Sequence, residues 1–343
     1  SMNSYEIIRR SVAFDYPDRV GLRFNSLGVS DVFRIYTQPP RALRPDPNAP
    51  VRMDKKFRTP PGAVDEWGCK WEASGDAAGG DDMGLVLDSP LKDWSLYKNF
   101  HFPNPSDPDR FEGLETALES ANGRLVQLNS PFCMFERMHF MRGFETIMND
   151  FILQPAEVEK FADKVIDYQI GIVNAAAERG KGRIHCFDTT DDWGSQTAMF
   201  ISPHMWREIF KPRYKRLIDA IHAGGMLLRF HTDGKINAIL PDLVELGVDI
   251  LNVHQPRLLG IDEVAQSIAG RICFEVSADV QATLPKGDRD AIRAEVRELL
   301  GKWASPRGGL IGVEYRYGAA IGITQQALEW ELEALQEFGT YKK

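Results

Sequence analysis

From about residue 122 onward, short apolar runs alternate with longer amphipathic stretches. "GRLVQLN", "RIHCFD", "GMLLRFH", "DILNVHQ", "RICFEVS" and "GGLIGVEY" are each a few residues long and carry β-branched or aromatic side chains, as buried strands do. The stretches between them repeat at helical spacing. Over 155–179, Val158, Phe161, Val165, Tyr168 and Ile172 stand three and four positions apart, so one helix face is apolar, and Pro155 suits its first turn. "SPHMWREIFKPRYKRLIDAIHAGG" offers Ser202 as N-cap, Pro203 at the first helical position and Gly224 to end the helix, with Pro212 expected to kink it. "KINAILPDLVELG", "GIDEVAQSIAG", "DRDAIRAEVRELLGKWA" and "TQQALEWELEALQEFG" supply the remaining helices.

Repeated strand–helix units build a parallel sheet. The N-terminal helix "SYEIIRRSVAF" and strand "RVGLRFN" bring the strand count towards eight, so the expected fold is α/β, a (β/α)8 TIM barrel formed by residues 1–343 as one domain. An open doubly wound sheet is the alternative, but no glycine-rich phosphate loop follows any strand, which weakens a dinucleotide site. One segment breaks the rhythm. Between Gln38 and Gly62 stand Pro39, Pro40, Pro45, Pro47, Pro50, Pro60 and Pro61, which exclude a helix or a sheet ladder. Such a loop is too long for an ordinary connection and is expected to be functional or mobile. Beyond it, "DEWGCKWEAS" and "GLVLDSPL" flank "GDAAGGDDM", the pattern of a β-hairpin. Residues 38–100 therefore read as a proline-rich loop and hairpin insertion in the barrel, placed as a lid would be.

Composition narrows the function. A chain of 343 residues with 43% hydrophobic positions can bury a core without disulfides. Its net charge of −8 argues against nucleic acid, whose binders present a basic field, and "KPRYKR" at 211–216 reads as a solvated helix face. No apolar run approaches the ~20 residues of a membrane span, and the N-terminal stretch lacks the apolar core of a signal peptide. Cys69, Cys133, Cys186 and Cys273 form no CxxC pair, so reduced thiols and a cytoplasmic location are expected.

Functional groups of such barrels gather where strands end and loops begin. The loop-side positions here are Arg142 and Glu145; Asp188, Asp191, Asp192, Trp193 and Gln196; His231 and Asp233; Asn252, His254 and Gln255; Glu275, Ser277 and Asp279; then Glu314, Tyr315 and Arg316. Some of these acids must cap helices. Asp188 is as readily a cap as a functional group, His185 reads as a core histidine, and Trp193 is either packing or a substrate platform. In a strand, residues two apart face the same way, so His231 and Asp233 point together with Arg229 on the same face below. A His-x-Asp at a strand end, with other acids converging, favours function over a structural histidine.

"YPDRVGLRF", "RGFETIMNDF", "DDWGSQTAMFISPHMWREIFKPRYKRLIDAIHAGG", "HTDGKINAILPDLVELGVDILN" and "DVQATLPKGDRDAIRAEVRELL" together resemble the uroporphyrinogen decarboxylase superfamily. The likeness runs from about residue 7 to 338, the proline-rich stretch excepted, and is nearest to the methyltransferase-like branch related to cobalamin-dependent methyltransferases. It implies a (β/α)8 barrel with its site at the strand C-terminal ends. In the zinc methyltransferases of that branch a His-x-Cys and a later cysteine hold the metal. Here His231 and Asp233 stand at the first pair, and "GVEYRYG" brings Glu314 but no cysteine at the second. The resemblance thus implies a site of His231, Asp233 and Glu314 for zinc or another divalent metal. The decarboxylase's Arg-Gln-Ala-Gly-Arg stretch is replaced by "FNSLGVSDVFRIY", against the haem-pathway enzyme, and no Asp-x-His-x-x-Gly cobalamin signature occurs, so a corrinoid must come on a partner protein.

Three functions are compatible with these residues. The first is a methyltransferase that moves a methyl group between a small methylated substrate, as in O-demethylation, or tetrahydrofolate, and a corrinoid protein carrying methylcobalamin. There His231 is a metal ligand or general acid/base, Asp233 shares the metal or orients the imidazole, and Asp192 acts with them. Asp192 and Gln196 fix the substrate, Trp193 covers it, Arg142 with Glu145 positions a polar group, and His254 and Tyr315 line the site. The second is a decarboxylase or related lyase acting on an aromatic or heterocyclic acid, with Arg142, Arg229 or Arg316 on the carboxylate. The third is a non-catalytic ligand-binding barrel.

Overall fold

The computed structural model describes residues 1–72 and 84–341. Within them lie eleven strands: β1 (Gly21–Phe24), β2 (Val29–Ser30), β3 (Val32–Tyr36), β4 (Lys70–Glu72), β5 (Leu85–Asp88), β6 (Leu125–Asn129), β7 (Cys186–Thr190), β8 (Leu227–His231), β9 (Ile250–Val253), β10 (Cys273–Val276) and β11 (Leu310–Val313). Their order in the main sheet is β2-β1-β11-β10-β9-β8-β7-β6-β3. All neighbours are parallel except β1 and β2. Eight parallel strands with helices outside make the (β/α)8 barrel that the sequence rhythm predicts.

The seam between β1 and β3 is closed by one residue. Asp31 donates its N–H to the Leu22 carbonyl (2.8 Å) and accepts the Leu22 N–H on its carboxylate (2.8 Å), while its own carbonyl accepts from Leu125 on the other side (3.0 Å). Arg19 (2.7 Å) and Ser4 (2.6 Å) hold that carboxylate. The eighth strand, β3, is one the hydrophobic pattern does not announce.

Helices Phe135–Arg142 and Phe144–Leu153 follow β6, where the sequence reading has only loop. The predicted 155–179 helix spans Pro155–Gly180. The helix expected over 202–224 divides at Phe210 into Pro203–Ile209 and Lys211–Ala223, with Pro212 in the first turn of the second piece and Ser202 capping the first (3.1 Å to the Met205 N–H). Among the described residues no helix is long and apolar enough to cross a membrane. The proline-rich segment has one short 3-10 turn, Arg41–Leu43, and is fastened to the barrel: Met53 is buried and its carbonyl accepts from the Tyr36 N–H (2.7 Å), and Arg44 pairs with Glu112 (2.8 Å). β4 and β5 pair antiparallel as the hairpin, whose turn "GDAAGGDDM" lies outside the described residues.

Because strand side chains alternate between faces, those pointing into the barrel stack in three layers. The lowest is apolar: Val32, Leu125, Cys186, Ile250, Cys273 and Ile311, plugged from beneath by Ile8. The middle layer is polar: Arg23, Arg34, Gln127, Asp188, Arg229, Asn252 and Glu275. Arg229 spans it, donating to Glu275 Oε1 (2.7 Å) and Asp188 Oδ1 (2.8 Å), and Arg23 donates to Glu275 Oε2 (2.8 Å). Burial opposes ionisation of Glu275, but Arg229 and Arg23 outweigh it and hold the carboxyl far below its usual range. The uppermost layer, at the strand C-terminal ends, includes Thr190 and His231.

Candidate active site

Beyond β7 and β8 the two chains stay paired as they enter their loops. Asp191 N–H donates to the His231 carbonyl (3.0 Å), Trp193 N–H to Thr232 Oγ1 (3.3 Å), Gly194 N–H to the Asp233 carbonyl (3.1 Å) and Lys235 N–H to the Ser195 carbonyl (2.8 Å). Asp233 N–H reaches Asp192 Oδ1 (3.0 Å). This approach requires glycine on both sides. A Cβ on Gly234, whose φ is +84°, would lie 2.1 Å from the backbone carbon and oxygen of Gly194. Gly234→Ala is therefore expected to cost about 2–4 kcal/mol, because neither backbone can move aside without breaking the paired loops. Urea unfolding checks this, and a stability within about 0.5 kcal/mol of the parent would show that the loops separate freely.

The pairing sets Asp192 and Asp233 on either side of His231. His231 Nε2 lies 3.4 Å from Asp192 Oδ1 and 3.3 Å from Asp233 Oδ2. Its Nδ1 is 2.6 Å from Asn252 Oδ1. The Asn252 amide is itself oriented, because its Nδ2 donates to the carbonyl (3.2 Å) and Oε1 (3.0 Å) of Glu275, which only accept. Nδ1 of His231 therefore carries the hydrogen, and Nε2 is the atom offered to the two aspartates. One ligand atom from each of Asp192, His231 and Asp233 falls within 4.8 Å of the others, a grouping able to hold a metal ion. Both aspartate side chains are 39% exposed and the imidazole 16%, so the cluster opens to solvent.

The charges in this cluster support one another. Burial disfavours the imidazolium, but Asp233 and Asp192 outweigh it and raise the His231 pKa well above its ordinary value. In turn, burial raises and His231 lowers the Asp233 carboxyl, which settles at about 2. His254 is the opposite case: burial, then the His231 charge, push it down to about 3, so it stays neutral. Its Nδ1 meets Ser277 Oγ at 2.9 Å, and its ring lies 6.0 Å from His231 and 5.0 Å from Tyr315. Burial, then Asp233, raise the Tyr315 hydroxyl to about 12. His254 and Tyr315 thus flank the cluster as neutral polar groups.

Other residues named from the sequence stand elsewhere. Glu314 accepts from the Ser26 N–H (2.9 Å) and hydroxyl and is not one of the clustered ligands; the third is Asp192. Trp193 is fully buried, stacked on Phe135 at 4.5 Å with its indole N–H on the Tyr214 hydroxyl (2.8 Å), so it packs the core and cannot cover a substrate. Arg142 is buried too, bonded to Asp150 (2.5 Å) and the Leu91 carbonyl (2.9 Å) and lying 4.1 Å over Trp94, which joins the insertion to the barrel. Glu145 is exposed in the first turn of an outer helix, and Gln196 is exposed in the loop after β7. Asp188 caps nothing; it belongs to the middle layer with Arg229. His185 accepts the Val126 N–H (2.9 Å) at the lower end of β7, far along the strand from the mouth.

Asp191 acts as a cap, as does Asp279, which accepts from the Arg257 N–H (3.1 Å). Asp191 accepts from the N–H groups of Met134 (3.1 Å), Phe135 (3.2 Å) and Glu136 (2.9 Å), and burial lifts its carboxyl to about 7. That capping brings in a residue absent from the sequence reading. Glu136, 5% exposed, accepts from Thr190 Oγ1 (2.9 Å), and burial, then Asp192 and Asp191, push its carboxyl well above the usual range. Asn252 is likewise visible in the sequence only as a strand-end residue; its hold on His231 depends on the register of β8 and β9.

No curated protein matches the sequence. Among solved structures the chain is similar to a methyltransferase from Methanosarcina mazei, at 17% identity and a TM-score of 0.60, over 80% of this chain and 76% of that one. The likeness to the mannonate dehydratase from Streptococcus suis serotype 2 is weaker: 13% identity, 76% of this chain, 87% of that one and a TM-score of 0.37. The uroporphyrinogen decarboxylase (URO-D) family matches residues 107–313. That match runs over more than half the sequence, through every parallel strand but β1 and β3 and both loops that carry the cluster, and the chain belongs to the uroporphyrinogen decarboxylase family.

Proposed function

We propose that this chain is a methyltransferase, moving a methyl group between a small methylated substrate, or tetrahydrofolate, and a corrinoid carried by a partner protein. The observation that carries the reading is the Asp192–His231–Asp233 cluster at the mouth of a barrel whose fold is shared with a methyltransferase. One imidazole nitrogen and two carboxylate oxygens form a donor set suited to zinc or manganese, and their exposure leaves coordination positions open. A divalent ion held there supplies Lewis-acid polarisation of a substrate heteroatom.

The chain's own residues prepare the site for that role. Asn252, fixed by Glu275, holds the imidazole so that Nε2 faces the aspartates, as an outer partner of a metal-bound histidine does. With a proton on Nε2 instead, His231 is a general acid whose proton is directed at the mouth. Tyr315 and His254 stay neutral beside it and offer hydrogen bonds to a substrate oxygen. The decarboxylase reading loses two of its three arginines, since Arg142 and Arg229 are both bonded to buried carboxylates.

The test is spectroscopic. Mixed with cob(I)alamin and a panel of methoxylated small molecules, the enzyme is expected to convert the corrinoid spectrum to that of methylcobalamin. Release of carbon dioxide from acids with no spectral change would sink the methyl-transfer reading.

A further inference from the structure

The middle layer of the barrel holds three guanidinium groups, Arg23, Arg34 and Arg229, facing two carboxylates, Asp188 and Glu275. Arg229 bonds to both acids and Arg23 bonds to Glu275. Arg34 is left over. Its Nη2 stands 3.8 Å from Asp188 Oδ2, and that oxygen already accepts from Gln127 (3.0 Å) and Asn129 (2.9 Å). Its Nε is buried with no hydrogen-bond partner. An arginine cannot shed its proton to relieve this.

Arg34 also differs from the other two in reach. Its side chain is 20% exposed, against 3% for Arg23 and 8% for Arg229. Beneath it the apolar layer of Val32, Leu125 and Ile8 seals the barrel, so this exposure opens towards the mouth. The strands rise roughly 7 Å over two residues, which places Arg34's layer about that far below the level of His231. A para-substituted aromatic ring spans a comparable distance.

We propose that Arg34 binds a carboxylate of the substrate, one interior layer below the Asp192–His231–Asp233 cluster, so that the substrate is a small methylated acid. The planar guanidinium fork suits a carboxylate, and that carboxylate supplies the negative counter-ion that the middle layer lacks. The proposal rests on the cluster being the methyl-transfer site, and the experiment keeps the two apart.

Isothermal titration of the whole chain with 4-methoxybenzoate and with its neutral amide, in the parent and in Arg34→Gln, tests the pairing. The parent is expected to bind the acid about ten- to a hundredfold more tightly than the amide, the worth of one charged hydrogen-bond pair. Arg34→Gln should erase that difference and leave amide binding and Tm nearly unchanged, because Arg34 reaches Asp188 only at 3.8 Å, without a hydrogen bond, and adds to the positive charge of Arg23 and Arg229. Equal binding of acid and amide by the parent, no saturable binding of the acid, or an unchanged acid affinity in Arg34→Gln each overturn the proposal. Corrinoid methylation is scored separately. Arg34-dependent acid binding without methyl transfer leaves the carboxylate site standing and removes the methyltransferase reading. Methyl transfer from neutral substrates, indifferent to Arg34→Gln, does the reverse.

Discussion

Replacing His231 with alanine is expected to lower turnover by about 10³-fold or more, since it removes the only nitrogen of the cluster, whether that nitrogen binds a metal or moves a proton. Stability should change by no more than about 1 kcal/mol. The ring sits at the open mouth, and water can replace it on Asn252 Oδ1. Elemental analysis by mass spectrometry, on protein prepared with zinc and manganese supplied and no chelator, separates the two roles. Near-stoichiometric metal in the parent that is lost in His231→Ala and Asp233→Ala marks a ligand. No metal in any of them makes His231 an acid/base. A variant that keeps its turnover, or loses several kcal/mol of stability, would make it a structural histidine.

The second large effect is on folding rather than chemistry. Glu275→Leu should destabilise the protein by about 3–5 kcal/mol, because it leaves Arg229 and Arg23 buried with Asp188 as their nearest remaining acid. A buried ion pair contributes little over an apolar pair, but removing one partner strands the other. The substitution also removes one of the two acceptors that orient the Asn252 amide and leaves the backbone carbonyl, so His231 should be held less firmly in the residual folded protein. Urea unfolding gives the first quantity. A loss under about 1 kcal/mol would mean that water enters the middle layer and solvates the arginines.

The strand–helix alternation was legible because parallel strands covered on both sides read as short apolar runs between amphipathic helices. It failed at β3, where Arg34 interrupts "VFRIY" and the proline-rich segment follows directly. The same polar middle layer puts arginine into β1 and β8, but there the flanking residues are apolar enough to keep the pattern. Of the candidate site, His231 and Asp233 were readable from their two-residue spacing at a strand end where other acids converge. Asp192 was visible as an acid near a strand end, but its meeting with His231 depends on loop pairing that places Gly194 against Gly234. Trp193 and Arg142 were read as loop-side residues because "FERMHFMRGFETIMNDF" distributes Phe and Met without a clear face, hiding the helices that bury them. Glu314 was assigned by position in the chain, whereas a hydroxyl and N–H on Ser26, far away in sequence, claim it.

The pairing of β1 with β11 bears on how this barrel is born. β1 lies beside β11, with Arg23 paired to Val313, so the ring stays open until residue 313 has left the ribosome. At about 5–20 residues per second, β1 and the free edge of the growing sheet wait on the order of tens of seconds for their partner. During that interval the unpaired backbone amides of both edges, and the arginines destined for the interior, face solvent or a chaperone. Closure is a long-range event that few local contacts can anticipate, which favours slow folding with populated intermediates. A circular permutant that begins at β11 would make these two edges neighbours from the start and move the late closure to the junction of β10 with β11.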